Sequence, residues 1–419
     1  MKITKSFLLA LFVVVLSSVV MNGNFVNLTT SIQAKNTQND SLTIYTYKSL
    51  MNNPYYDIIG NFSSYSGISR DKINITRFSS PYELMNTIIK EKNNPKADIV
   101  IGIDNALTNL FNASDMFAPY ENTSVLQNLD QNFIINLGPN NHLVPFDYAP
   151  IGLYYNTTRV NNTSYSFFNN FTLDDLINSS LASKIIIENP KSSTLGLGFL
   201  LWTIADYGDP SAGFFLKGFL AKYWQPFWKK IGKDFTITKN YNEAYNLFSD
   251  PSADKLMMVS YTTQQAYDYC THGTTSSSSL ITTFMNETRL NSSAWFQIEG
   301  LGIVKKSPNQ ALAKEFVDWF LSTKIQNQIP QTQWKYPVNK KATTPACFTQ
   351  SGAPNPDEVL QLNRYLNPTT MNYFLSTWIG QWDNIIYPKG LPGFELQSII
   401  IVIPIFVVLS ILRKKSFFK

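Results

Sequence analysis

Several side chains able to do chemistry stand where an apolar, strand-like run gives way to a helical one. Side chains reach a ligand from such positions in open α/β sheets. Asp104 follows the apolar run Ala97–Ile103 and precedes a helical stretch. There a carboxylate serves as a helix N-cap, as a hydrogen-bond acceptor for a ligand, or as both. Ser192, Ser193 and Thr194 precede a helix containing Trp202. Hydroxyls and free backbone N–H groups at a helix start attract phosphate, and they equally well cap the helix. Gly196 and Gly198 let backbone approach a ligand or simply form a turn; their spacing lacks a full dinucleotide fingerprint. Tyr47 sits just past the first strand, where a side chain facing a cleft is expected, and Tyr148 and Trp295 lie on extended segments.

The elements that position these residues alternate. Leu42–Thr46 reads as a strand, Tyr55–Tyr65 as a helix, Lys72–Phe78 as a strand, Pro81–Lys92 as a helix with proline at its first position, and Ala97–Ile103 as a buried strand. This β-α-β-α-β pattern predicts a doubly wound α/β sheet. Val144–Tyr155 and Trp295–Val304 are extended and read as crossovers between two lobes. Between them come a helix over Phe171–Ile177, a strand over Lys184–Ile187, a helix over Leu200–Tyr207, a strand over Thr236–Thr238, a helix over Asn242–Phe248 and a strand over Leu256–Ser260. Long helices are expected over Ala311–Ile329 and Thr369–Ile386. The organisation expected is therefore a first lobe over 41–145, a second lobe over 146–298, and a return to the first lobe over 299–390. Two hinged lobes enclose a cleft that binds ligands at the carboxyl ends of strands.

The ends carry address signals. Lys2 and Lys5 precede an apolar run from Phe7 to Met21, with Ser17, Ser18 and Gly23 nearby, which reads as a signal peptide over 1–23. A second apolar run, 396–412, is followed by Arg413, Lys414, Lys415 and Lys419. About 17 apolar residues is the short limit for crossing a bilayer. The basic cluster after it belongs on the cytoplasmic side, so the rest of the chain is expected on the extracellular face of the membrane. Asn-x-Ser/Thr triplets at Asn61, Asn74, Asn112, Asn156, Asn162, Asn170, Asn286 and Asn291 fit a glycosylated exterior. Together with the C-terminal helix they suggest an archaeal cell surface. The net charge of +5 is small, and no basic block with interleaved aromatics suggests nucleic acid. Cys270 and Cys347 could pair in an oxidising compartment, and neither has a partner at zinc-like spacing.

Phe171-Thr-Leu-Asp-Asp-Leu176 before a strand ending in Glu188-Asn-Pro190, and Ala313-Lys-Glu-Phe-Val-Asp-Trp-Phe-Leu-Ser322 followed by Gln326 and Gln328-Ile-Pro330, resemble the solute-binding proteins at large. A sharper set resembles the thiamine-binding proteins of thiamine importers. It comprises Leu42-Thr-Ile-Tyr-Thr-Tyr47, Ala97-Asp-Ile-Val-Ile-Gly-Ile-Asp-Asn105, Val144-Pro-Phe-Asp-Tyr148, Ser192-Ser-Thr-Leu-Gly-Leu-Gly198, Thr238-Lys-Asn-Tyr-Asn-Glu-Ala-Tyr245, Val259-Ser-Tyr-Thr-Thr-Gln-Gln-Ala-Tyr267 and Gln333-Trp-Lys-Tyr-Pro-Val338, with the Trp378 and Trp382 pair. The match runs over about residues 41–385. It implies a type II periplasmic-binding-protein (Venus flytrap) fold. It also implies capture of thiamine or its phosphates, without a cofactor, for an ABC permease with ATPase subunits.

By the same resemblance Tyr241, Tyr261, Tyr267 and Trp334 offer aromatic faces to the thiazolium cation and the rings. Asp104 would accept from the pyrimidine amine, and Ser192, Ser193 and Thr194 would meet a phosphate. Tyr241 stands where the family commonly has tryptophan, which weakens stacking at that point. Two other readings stay open. Tyr261, Tyr267 and Tyr269 resemble the tyrosines of ferric-ion binders, although such sites add histidine or carboxylates and the chain has only His142 and His272. Thiamine-cleaving enzymes can share the fold and use a cleft cysteine, for which Cys270 near His272 is the candidate.

Overall fold

The computed structural model describes residues 41–50, 56–160, 170–213, 223–273, 276–286 and 289–388. The signal peptide expected over 1–23, the transmembrane segment expected over 396–412 and Asn162 lie outside them. Among the described residues no helix is long and apolar enough to cross a membrane.

Local sequence explains the elements that carry the site. β1 (Leu42–Tyr47), β2 (Ile73–Phe78) and β3 (Ile99–Asp104) pair in parallel, with β1 in the middle. β3 is buried at every position, so its run is apolar throughout until Asp104. The helix Pro81–Lys90 starts where Ser80 accepts from the Glu83 N–H and the Glu83 carboxylate reaches back to the Ser79 N–H at 2.8 Å. It buries Leu84, Met85 and Ile88. The short strand β4 (Phe117–Ala118) lies along the edge of the later strand Phe296–Val304.

β5 (Val144–Asn156) is one 13-residue strand. A second parallel triplet follows, β6 (Ile185–Glu188), β7 (Thr236–Thr238) and β8 (Met257–Tyr261), with β6 in the middle. β9 (Ser277–Leu280) pairs with the end of β5, while β10 (Thr282–Asn286) and β11 (Arg289–Ala294) form a separate hairpin. β12 (Phe296–Val304) then runs antiparallel between β3 and β5. The path is β2-β1-β3-β12-β5-β8-β6-β7. β5 pairs with β12 over Val144–Pro150 and with β8 over Ile151–Tyr155, so a single strand serves both ends of the sheet. The sheet is thus mixed: each end is a parallel triplet, and the two antiparallel strands lie between them.

Two expectations about helices are corrected. The helix expected over Leu200–Tyr207 begins at Thr194, so Gly196 and Gly198 are helical and form no turn. All of its residues are buried, which leaves it without the polar face that would mark its start in sequence. The helix expected over Ala311–Ile329 ends at Phe320 and is followed by two short helices, Thr323–Gln326 and Ile329–Thr332. The break serves the fully buried Gln326. Its amide donates to the Phe146 carbonyl at 3.0 Å and accepts from the Val338 and Asn339 N–H groups. The helix Pro368–Ile386 buries Trp378 and Trp382.

Candidate functional site

The order β2-β1-β3 places a topological switch between β1 and β3, and the order β8-β6-β7 places another between β6 and β8. Tyr47 and Asp104 are the last residues of β1 and β3, and Glu188 and Tyr261 the last of β6 and β8.

Around them runs a connected set of buried side chains. Asp104 accepts from the Ala106 and Leu107 N–H groups at 3.0 and 2.8 Å, which is the capping role, and from the Gln297 amide at 2.6 Å. Gln297 in turn accepts from the Tyr261 hydroxyl. The Lys335 ammonium stands 4.6 Å from the centre of the Tyr261 ring and 2.8 Å from Glu299. Glu299 accepts from the Tyr47 hydroxyl at 2.6 Å, and Asp147 lies 3.8 Å from Lys335. The Tyr47 ring needs Gly102, whose φ is +103° and whose missing Cβ would fall 2.3 Å from it.

A second group adjoins through Trp334. Tyr267 meets the Trp334 ring edge-on at 4.8 Å, and Phe348 stacks on it at 6.3 Å. Trp334 holds a left-handed backbone at φ +55°, a costly conformation for a bulky residue. Beside the stack Cys270 and Cys347 form a disulfide, so Cys270 offers no thiol for nucleophilic chemistry.

A third group lies at the start of the helix Thr194–Tyr207. Ser193 caps it by accepting from the Gly196 N–H and donates its hydroxyl proton to Glu188. Ser192 is turned away and donates to the Lys239 carbonyl at 2.8 Å. Thr194 is buried beside Ser193. Tyr241 opens the helix Tyr241–Ser249, stacks on Tyr245 and donates to Gln264 at 2.6 Å. Tyr82 donates to the Pro190 carbonyl at 2.5 Å, joining the helix Pro81–Lys90 to the loop after β6.

Asp104, Asp147, Glu188, Glu299 and Lys335 are each at most 4% exposed. Four carboxyls and one ammonium cannot all carry charge cheaply without water. Burial pushes Asp104 up to about 6 against the pull of its hydrogen bonds. It pushes Glu188 up to about 7, opposed by Ser193. Burial drives Asp147 well above the carboxylate range against the pull of Lys335, and neighbouring Glu299 adds to the rise. Burial alone would lower Lys335, but Asp147 and Glu299 outweigh it and hold its proton on.

A carboxyl raised by folding favours the fold while it is neutral. Its contribution is complete below the unfolded value and is lost as pH rises through the folded one. For Glu188 that window runs from 4.5 to about 7. Urea unfolding of the wild type and Glu188→Gln across this window should show the wild type losing on the order of 3 kcal/mol relative to the variant. Parallel pH profiles would show that Glu188 does not titrate as stated.

Gln297, Glu299, Lys335, Asp147 and Glu188 are the members that reading the sequence for site residues missed. The signal was there for two of them. Gln297 and Glu299 lie two apart on β12, hence on one face of an otherwise apolar strand.

Residues 71–327 match the model of the family described as bacterial extracellular solute-binding protein. The chain belongs to that family. It is an extracytoplasmic solute-binding protein, the subunit that captures solute for an ABC importer, and not an enzyme. The chain is 28% identical to the thiamine-binding periplasmic protein of Brucella melitensis over 84% of this chain and 94% of that one. Among solved structures it superposes on a periplasmic thiamin binding protein with a TM-score of 0.63 at 25% identity, covering 83% of this chain and 96% of the other. A ferric binding protein from Campylobacter jejuni matches with a TM-score of 0.62 at 14% identity over 82% of this chain and 99% of the other, a likeness of fold alone. The α/β periplasmic-binding-protein fold implied by the resemblance is the fold found.

Proposed function

We propose that this solute-binding protein captures thiamine or a thiamine phosphate between two lobes, 41–145 with 299–390 on one side and 146–298 on the other, and delivers it to an ABC permease with its ATPase subunits. The observation that carries this reading is similarity to thiamine-binding periplasmic proteins along most of the chain. The site chemistry supports it. Thiamine is a flat cation joined to an aminopyrimidine with a hydroxyethyl tail. Tyr241, Tyr261, Tyr267 and Trp334 supply π faces. Asp104 Oδ2 accepts one hydrogen bond, from Gln297, and a carboxylate oxygen has room for another from the pyrimidine amine. Tyr47 braces the Glu299 side of the site, and Ser192, Ser193 and Thr194 stand at the end where the hydroxyethyl group or its phosphate would lie.

The same reading removes residues 1–23 as a signal peptide and anchors the chain through a transmembrane helix over 396–412. Asn61, Asn74, Asn112 and Asn170 are exposed and accessible to glycan, which fits an archaeal cell surface.

The test is calorimetric titration of thiamine and its mono- and diphosphate into the full chain in detergent. One-to-one binding at about micromolar or tighter is expected, a range typical of specific small-solute capture. Trp334→Ala with Tyr267→Ala should weaken it by about a hundredfold, the loss of two stacking faces. Absence of binding by folded protein for all three compounds would sink the thiamine reading and leave the solute to be found.

A further inference from the structure

We infer that Glu188 selects the end group of the solute, admitting a hydroxyl and disfavouring a phosphate. This rests on the thiamine reading above and sharpens it.

The start of a 14-residue helix ordinarily invites an anion, and here the helix Thr194–Tyr207 starts directly on Glu188. A Cβ on Gly196 would lie 2.2 Å from the Glu188 carbonyl oxygen, so helix and strand end are in contact. The Ser193 hydroxyl, the natural donor to a phosphate at this helix, gives its proton to Glu188 Oε2 instead. The other oxygen, Oε1, is buried without a hydrogen-bond partner although the residue is only 2% exposed. Among the described residues no cation offsets it from nearby. Lys191 points to Asp383 at 2.8 Å, and Lys335 is taken by Glu299. Among the described residues Tyr241, on the helix that follows β7, and Tyr261, at the end of β8, interact electrostatically with Glu188. Burial raises both above the range in which they would ionise at neutral pH.

A phosphate entering here brings negative charge against a buried carboxylate at low dielectric. An alcohol brings a proton that Oε1 lacks, and a charge-assisted O–H···O⁻ bond forms. Tyr82 ties the loop after β6, at Pro190, to the helix Pro81–Lys90. The ligand class indicated is therefore a flat cation ending in a primary alcohol.

The experiment is calorimetry on the full chain with thiamine and thiamine monophosphate at pH 8, where Glu188 is ionised. Wild type should bind thiamine at least about tenfold more tightly than the monophosphate, as close like charges require. Glu188→Gln keeps the shape and still accepts from Ser193, so the ratio should fall by at least about tenfold, mainly through tighter phosphate binding. Equal wild-type affinities, or a ratio unmoved in Glu188→Gln while thiamine still binds, overturn the inference and leave the thiamine reading standing. If neither compound binds folded wild type, the thiamine reading fails and the inference falls with it. Should Glu188→Gln not fold, Ser193→Ala replaces it. That change frees both Glu188 oxygens, so the preference for thiamine must persist or grow, and its loss would count against Glu188.

Discussion

Lys335→Met is expected to lower the unfolding free energy by about 3–5 kcal/mol, the cost of leaving a buried ionic group without its partner. Among the described residues Lys335 is the cation that faces Asp147 and Glu299, and it is almost wholly buried. Without it Glu299 keeps the Tyr47 hydroxyl bond but loses its cation, and the Tyr261 ring loses the ammonium above it. Methionine fills the stem's volume, so the loss measures charge and not a cavity. Adding Glu299→Gln to Lys335→Met should restore a large part of the stability, because the uncompensated charge then goes too. Urea unfolding with the slope held constant reads both values. A loss below about 1 kcal/mol for the single variant would mean that the ammonium is no more valuable than an exposed one. Thiamine affinity should fall in the single variant as well, since Tyr261 is placed from Lys335 on one side and Gln297 on the other.

The contrast between Asp104 and Lys335 shows what a sequence gives up. Asp104 ends an unbroken apolar strand and starts a new element, a position that period and composition both mark; the structure finds it capping Ala106 and Leu107. Strands and helices whose apolar faces repeat were legible for the same reason, so β7 falls on Thr236–Thr238 and the last helix starts within a residue of its expected position. Lys335 has no such mark. It lies in a short stretch without period, and its value comes from Glu299 and Asp147, whose strands meet it only after the chain has crossed the sheet twice. Glu188 was visible as part of a family motif, yet its buried, half-satisfied state depends on how closely the helix at Gly196 approaches. Local pattern places elements. Long-range pairing decides which polar residues become a site.

Removing the disulfide should be nearly as costly as removing Lys335. Cys270 and Cys347 are 77 residues apart, and a cross-link closing a loop of that length restricts the unfolded chain by about 4 kcal/mol. Cys270→Ala with Cys347→Ala should therefore lower stability by about that amount and steepen the urea dependence, because the freed chain exposes more surface on unfolding. A second effect is local. Cys270 lies on the helix that carries Tyr267, and Cys347 is the neighbour of Phe348, so the bond clamps the two walls of the Trp334 stack. Trp334 is held in a left-handed backbone costing roughly 1–2 kcal/mol, and such a conformation persists only while its surroundings enforce it. With the clamp gone, Trp334 relaxes in part of the population, and thiamine affinity should drop about tenfold, the factor corresponding to 1.4 kcal/mol. Calorimetry on reduced and oxidised wild type separates the two effects, since reduction alters no side-chain volume. Full thiamine affinity in the reduced, folded protein would show that the pairing of Tyr336 with Tyr148 holds Trp334 by itself, and that the disulfide acts on the unfolded chain alone.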